Sequence, residues 1–213
     1  MGGEKENIGT AAVMTADMVG STNYPPGEVN RLLTHWLVEL EEHVAWLVSP
    51  EIFRGDSFQG VLKNLEEVMR AAILARALSR REGADLRIAI GIGPVDRLAE
   101  RSGISDGEAF RLSGQRADTL KAERAKIAVA LPVEAAPVDA VLTLLESVIE
   151  KWTAAQAAVI VHLLKGETFT VAARELGISQ SAVSQHAQAA RWWAVDPLIR
   201  TFHQLIKIYY PHV

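Results

Sequence analysis

Two aspartates, one short loop and one helix start are where this sequence could do chemistry. Asp17 ends the apolar run "IGTAAVMTADM", and Asp56 follows Gly55 between "EIFR" and "SFQGVL". Either alone is an ordinary cap or turn residue, because Asp favours turns through its side-chain hydrogen bonds. Brought to one sheet edge, the two carboxylates would hold a hard Mg²⁺ ion and bridge it to phosphate oxygens. Gly20, Ser21 and Thr22 come next in the chain, and their backbone N–H groups could cradle a phosphate or nucleotide. The second set lies in "GISQSAVSQHAQAARWW", residues 177–193. With Ser179 as N-cap, Gln180, Ser181, Ser184 and Gln185 fall on the first turns of a helix. Gln can pair with adenine in two-point fashion, and Ser is adaptable. Arg174 and Arg191, with Lys165 and His186, are candidate phosphate contacts.

The elements that must position these groups follow from periodicity. "IGTAAVMTADM" reads as a buried strand near residues 10–17. "PPGEVNRLLTHWLVELEEHVAWLVS" reads as a helix with Leu33, Leu37, Leu40, Val44 and Leu47 on one face. "EIFRGDSFQGVL" reads as a hairpin turning at or beside Gly55-Asp56. A helix from about Leu65 to Arg81, a strand around Leu86–Ile92, another helix and the strand "KIAVALP" complete the order. That order contains βαββαβ, the ferredoxin-like or palm plan, with helices on one face of an antiparallel sheet. In such a sheet the first strand lies beside the second strand of the hairpin, which carries Asp17 towards Asp56. "GIGPVD" offers no dinucleotide fingerprint.

After "PVEAAP" nearly everything is helical, so the expected organisation is a tail at 1–9, a palm-like domain at 10–135 and a helical domain at 136–213. The fold class is α+β with an all-α C-terminal part. Within that part, Ala173, Gly177 and Val183 sit where a helix-turn-helix needs a small contact, a left-handed turn and a core plug. The alternative is a helical hairpin packed on the first domain. The last helix, with Leu198, Ile199, Phe202, Leu205, Ile206 and Tyr209, either caps its own domain or forms a dimer seam through Leu198, Phe202 and Leu205.

Composition bounds the partners. Of 213 residues 49% are hydrophobic, enough for a sizeable core, and the formal net charge of −4 excludes a protein that coats nucleic acid through bulk positive charge. Contact with double-stranded DNA must therefore be local, and a reader with so little charge is expected to work as a homodimer. There is no cysteine, no leader-like start, and no apolar run able to span a bilayer, so a cytoplasmic protein without a membrane or lipid anchor is expected.

"TADMVGS", "FRGDSFQGVL" and "LRIAIGIGPV" together resemble the first strand, Gly-Asp hairpin and later strand of class III nucleotidyl cyclases and GGDEF-type palm domains. The stretch around Gly177 resembles the helix-turn-helix of sigma-factor region 4. The combination is similar to the SatD-like family. The resemblance implies metal binding at Asp17 and Asp56. It also implies an Asn and an Arg on the helix after the later strand, where this chain offers Arg111 and Gln115 or Arg116 instead. The broken pattern assigns no catalytic residue. The resulting expectation is a sequence-specific DNA-binding transcriptional regulator whose palm-like domain senses a ligand or dimerises. The alternatives are a metal-dependent nucleotidyl cyclase or other nucleotide-processing enzyme, and a pure interaction module.

Overall fold

The computed structural model describes residues 9–211, so the tail expected at 1–9 lies, apart from Gly9, outside the described residues. The N-terminal half is β1 (Thr10–Met18), α1 (Glu28–His43), β2 (Trp46–Phe53), β3 (Ser57–Leu62), α2 (Glu66–Arg81) and β4 (Leu86–Arg97). The two-residue strand β5 (Asp106–Gly107), α3 (Glu108–Leu120) and β6 (Ile127–Ala130) follow. The sheet runs β2-β3-β1-β4, all antiparallel, with β6 parallel to β4 and β5 on the far end of β4. The first strand therefore does lie beside the second strand of the hairpin, with Asp17 opposite Ser57. Arg54 and Gly55 reverse the hairpin with two successive positive φ angles, 55° and 80°.

Strand alternation splits β1 between two layers. Ala12, Met14, Ala16 and Met18 face α1 and α2, while Ala11 and Val13 join Val61, Val95 and Ala109 on the opposite face, under α3. This corrects the expectation of helices on one face only. The cause is in "IGIGP": a Cβ at Gly91 would collide with the backbone of Ala109 and Ser113, so α3 lies directly on β4 where side chains are missing. The glycines that failed as a nucleotide fingerprint serve helix-on-strand packing.

A second correction concerns α1. It ends at His43, not beyond Leu47: Val44 is extended, and the Trp46 indole donates to the carbonyl of Leu40 at 3.2 Å. Val44 is buried in helical register, but Leu47 belongs to the edge strand β2, whose Pro50 suits an edge.

The rest of the described chain is helical: α4 (Ala136–Ile149), α5 (Ala154–Leu164), α6 (Phe169–Leu176), α7 (Gln180–Ala189) and α8 (Trp192–Tyr209). The whole is a mixed α+β protein, and no helix among the described residues is long and apolar enough to cross a membrane. The two halves share one core. Every residue of α2 from Ala71 to Ser79 is buried, with α5 and α8 packed against it. Burying apolar area at about 25 cal/mol per Å² drives this contact, and polar groups fix its geometry. Arg70 donates to Leu164 O (3.1 Å), and Arg80 to Glu150 O (2.9 Å) and Trp152 O (2.8 Å). These bonds satisfy carbonyls at or just past the ends of α4 and α5 that no intrahelical N–H reaches. Arg76, fully buried, places its guanidinium between Glu146 of α4 (2.8 and 3.0 Å) and Asp85 (2.7 Å).

Candidate functional sites

Asp17 and Asp56 meet at one end of the sheet. The Asp17 side chain emerges on the α3 face of β1, while Asp56 closes the hairpin and its carbonyl accepts the N–H of Met18 at 2.9 Å. Arg87, opposite Asp17 on β4, donates to Asp17 Oδ2 at 3.2 Å, while Oδ1 is buried without a hydrogen-bond partner. Burial pushes the Asp17 carboxyl above its usual range; Arg87 and Lys121 oppose that push, and the nearby Asp56 charge adds to it. The Asp56 oxygens are taken by hydroxyls, Ser21 Oγ at 2.7 Å on Oδ2 and Ser57 Oγ at 3.1 Å on Oδ1.

Of the expected phosphate loop, Gly20 has φ 66° and leads into a 3-10 turn at Ser21–Asn23. Asn23 N–H closes on Gly20 O and Tyr24 N–H on Ser21 O, while Ser21 spends its hydroxyl on Asp56 and no hydrogen bond engages the Thr22 side chain. Beside Asp17 opens a cleft of about 280 Å³, walled by Thr15, Gln59, Arg54, Gly114 and Ala117 of α3, and Lys121 just past its end. Thr15 and Gln59 are ordered by their own bonds: Gln59 Nε2 donates to Thr15 Oγ1 at 2.9 Å, and Thr15 shares a hydrogen with Ser113 at 3.0 Å. Sequence reasoning missed Arg87, Thr15, Gln59 and Lys121. Arg87 had a signal, as the one charge in "LRIAIGIG". Arg111 and Arg116 lie away from this cleft, paired with Asp96 and Asp106 and with Glu123.

As a magnesium site the pair has both engaged and open donors. Arg87 already supplies a cation to Asp17 Oδ2 and both Asp56 oxygens accept hydroxyl hydrogens, while Asp17 Oδ1 is buried with no hydrogen-bond partner. A dication held between the two carboxylates would compete with Arg87 for Asp17.

The second site is built on three helices. Thr153 and Gln156 form a capping box at the start of α5, Thr168 caps α6, and Ser179 caps α7 by accepting the Ala182 N–H at 3.1 Å. Gly177 turns the chain between α6 and α7 with φ 66°, and Ile178 N–H bonds back to Ala173 O at 3.0 Å. Val159, Ala172, Ala173, Val183 and Ala187 form a compact core between the three helices. Ile178, beside this core, is 37% exposed.

With Val183 and Ala187 inward, Gln180, Ser181, Ser184 and Gln185 are all exposed, joined by Gln188, which the sequence reading passed over. Their contacts within the chain are local: Gln180 with Thr170 at 3.3 Å and Ser181 with Ser179 at 2.9 Å. Arg174 is exposed beside Glu175, which accepts from it at 2.8 Å. Arg191 is exposed at φ 60°, a left-handed conformation that non-glycine residues rarely adopt. Lys165 is corrected: its ammonium sits 2.6 Å from Glu39, largely buried, and is spent on joining α5 to α1. The last helix is corrected too, since Phe202 is buried in the chain's own core and offers nothing to a partner.

No protein-family model and no curated protein matches the chain. Among solved structures, a bacterial light-regulated adenylyl cyclase is similar with a TM-score of 0.38 at 14% identity, over 62% of this chain and 44% of that one. The chain thus spans less than half of that structure's length. A likeness this shallow says nothing of activity.

Proposed function

We propose that the chain reads duplex DNA through α7, as a helix-turn-helix regulator. The observation that carries this reading is the outward face of α7. Five uncharged hydrogen-bonding side chains stand in solvent on a short, capped helix whose other side is locked by Val183 and Ala187. A packing hairpin also turns a polar face to solvent, but this one carries amides and hydroxyls rather than charges, the groups with which the first turns of a recognition helix read base edges while flanking cations hold phosphates. Arg174 and Arg191 flank it. Selecting binding sites from random duplexes at low salt tests the reading. An enriched sequence motif is expected, and binding of no duplex at all overturns it.

A second reading is favoured by the cleft beside Asp17. Its Arg54 and Lys121 cations, ordered Thr15 and Gln59 polar groups and side-chain-poor floor at Gly114 and Ala117 suit a small phosphate-bearing ligand such as a nucleotide, bound as an effector. Given the Asp17–Arg87 pair, the ligand is held by these side chains without a divalent ion. Titrating nucleoside triphosphates against thermal stability, with Mg²⁺ and with a chelator, tests it. Equal stabilisation in both series, lost on Lys121→Ala, is expected. Stabilisation seen only with Mg²⁺ would instead favour Asp17 and Asp56 as metal ligands and the enzyme reading with them.

A further inference from the structure

Two helices of the C-terminal half carry a second apolar stripe that their own core covers only in part, with Val148, Leu198 and Leu205 packed along its edge. On α8 the core takes Val195, Ile199, Phe202 and Ile206. Beside them run Ala194, Leu198, Thr201, Leu205 and Ile208, spaced four, three, four and three. That is the spacing with which one helix presents a seam to another. Leu198 and Leu205 are only half-buried, Ala194 and Thr201 are exposed, and Ile208 is 71% exposed. α4 repeats the pattern. Its core residues are Val138, Leu142, Leu145 and Ile149, and beside them Pro137, Val141, Leu144 and Val148 are spaced four, three and four, with Leu144 70% exposed. The two helices touch each other.

We propose that this face is covered by α4 and α8 of a second copy of the chain, across a twofold axis passing near Thr201. A twofold interface brings each patch against itself, so a charge at its centre would meet its own kind. None of the nine stripe positions is charged, in a chain where 23% of residues are. The charges of α8 lie elsewhere: Asp196, Arg200 and Lys207 fall more than a quarter-turn from the mid-line of the stripe at 100° per residue, and Asp196 and Arg200 pair with each other. Size points the same way. At 1.5 Å per residue the stripes are about 21 Å and 17 Å long, and with helices about 10 Å across they project roughly 400 Å² per copy. Two copies, with the corrugation of real side chains, reach the order of 1,000 Å² that a specific interface requires; α8 alone falls short. Thr201 stands at the middle of the α8 stripe, so an antiparallel crossing brings it opposite its own copy.

This inference is independent of the DNA reading, because it is tested without nucleic acid. Sedimentation of the full chain from 1 to 100 µM should show twice the protomer mass. The Leu144→Glu/Ile208→Glu variant, changed at side chains already in solvent, should run as a monomer that still unfolds in one cooperative transition, with a midpoint that no longer rises with protein concentration as the wild type's does. Because the chain has no cysteine, Thr201→Cys gives a single thiol, which a short bis-maleimide should join into a covalent dimer. Val38→Cys, on the 52% exposed surface of α1, should stay uncoupled. A monomeric wild type at 100 µM, a dimeric double variant, or no more coupling at Thr201→Cys than at Val38→Cys would each overturn the proposal.

Discussion

Arg76→Met keeps the apolar stem of the side chain and removes its charge from the junction of the two halves. Glu146, 4% exposed, then loses both guanidinium hydrogen bonds and keeps only the Lys126 N–H at 3.0 Å. Asp85 is better placed, because Arg80 at 3.2 Å and Lys126 at 3.9 Å remain beside it. The penalty therefore falls on Glu146, and stranding one member of a buried pair costs about 3–5 kcal/mol. Against a typical total of about 5–15 kcal/mol, that is a large share. Arg76→Met/Glu146→Leu removes the stranded charge and leaves the Lys126 N–H unpaired, a loss of about 1–3 kcal/mol, so the double variant should be more stable than the single.

The pH dependence separates this account from a mere packing defect. In the wild type, burial works to raise the Glu146 pKa, and the hydrogen bond and charge of Arg76 overcome it, leaving the carboxyl below its ordinary 4.5. A depressed carboxylate contributes stability above its unfolded value that is lost as pH falls through the folded one. In Arg76→Met burial prevails and the sign reverses, so the folded state takes up a proton more readily than the unfolded state. The deficit of the single variant should shrink as pH is lowered from 7 towards 5. Urea unfolding at both pH values, read as midpoint and slope, measures it. A single-variant cost below about 1 kcal/mol, or a double variant no better than the single, would refute the reasoning.

Four further outcomes are expected. Glu39→Gln breaks the contacts of α1 with Arg81 and Lys165. Burial works to raise the Glu39 pKa, but those partners bring it from 4.5 to about 2; screening reduces the corresponding stability to about 1–2 kcal/mol, present above pH 4.5, and acid titration of the thermal midpoint should show the gap to wild type closing towards pH 2. Gly91→Ala drives a Cβ into the α3 backbone and should cost about 3 kcal/mol in urea unfolding, whereas Gly93→Ala, whose nearest neighbours stand at 3.5 Å, should cost far less. Gln185→Ala should lose about 1–3 kcal/mol on the selected duplex and little on a scrambled one, by fluorescence titration. Arg191→Gly relieves a left-handed residue worth about 1–2 kcal/mol, so it should unfold at higher urea yet bind all duplexes more weakly, with a salt slope flatter by about one.

What the sequence disclosed was whatever depends on neighbours in the chain. The strand ending at Asp17, the Gly55 turn, the Gly177 turn and the Ser179 cap rest on local rules of periodicity, φ and capping, and the helix faces around Val183 follow from them. The end of α1 was hidden because Val44 and Leu47 keep helical spacing after the helix has stopped, and the Trp46 indole bond that helps to end it is a tertiary fact. That α3 crosses to the other face of the sheet turns on two glycines whose role is visible only beside Ala109. The Arg76–Glu146 pair spans 70 residues, and Arg87 reaches Asp17 through strand register, so neither could be paired by eye. Lys165 looked like a free cation for the same reason.

The all-round burial of α2 has a bearing on how the chain is made. When β6 leaves the ribosome, the sheet and α1 can cover one side of α2, but the helices that cover the other side have yet to be synthesised. Ile206 follows Ala130 by 76 residues, about 4–15 s at common elongation rates of 5–20 residues per second. During that interval the nascent chain shows a greasy helix studded with three arginines whose acceptor carbonyls and carboxylate arrive later. Nascent chains arrested between these points should be the ones that recruit chaperones and resist release in soluble form.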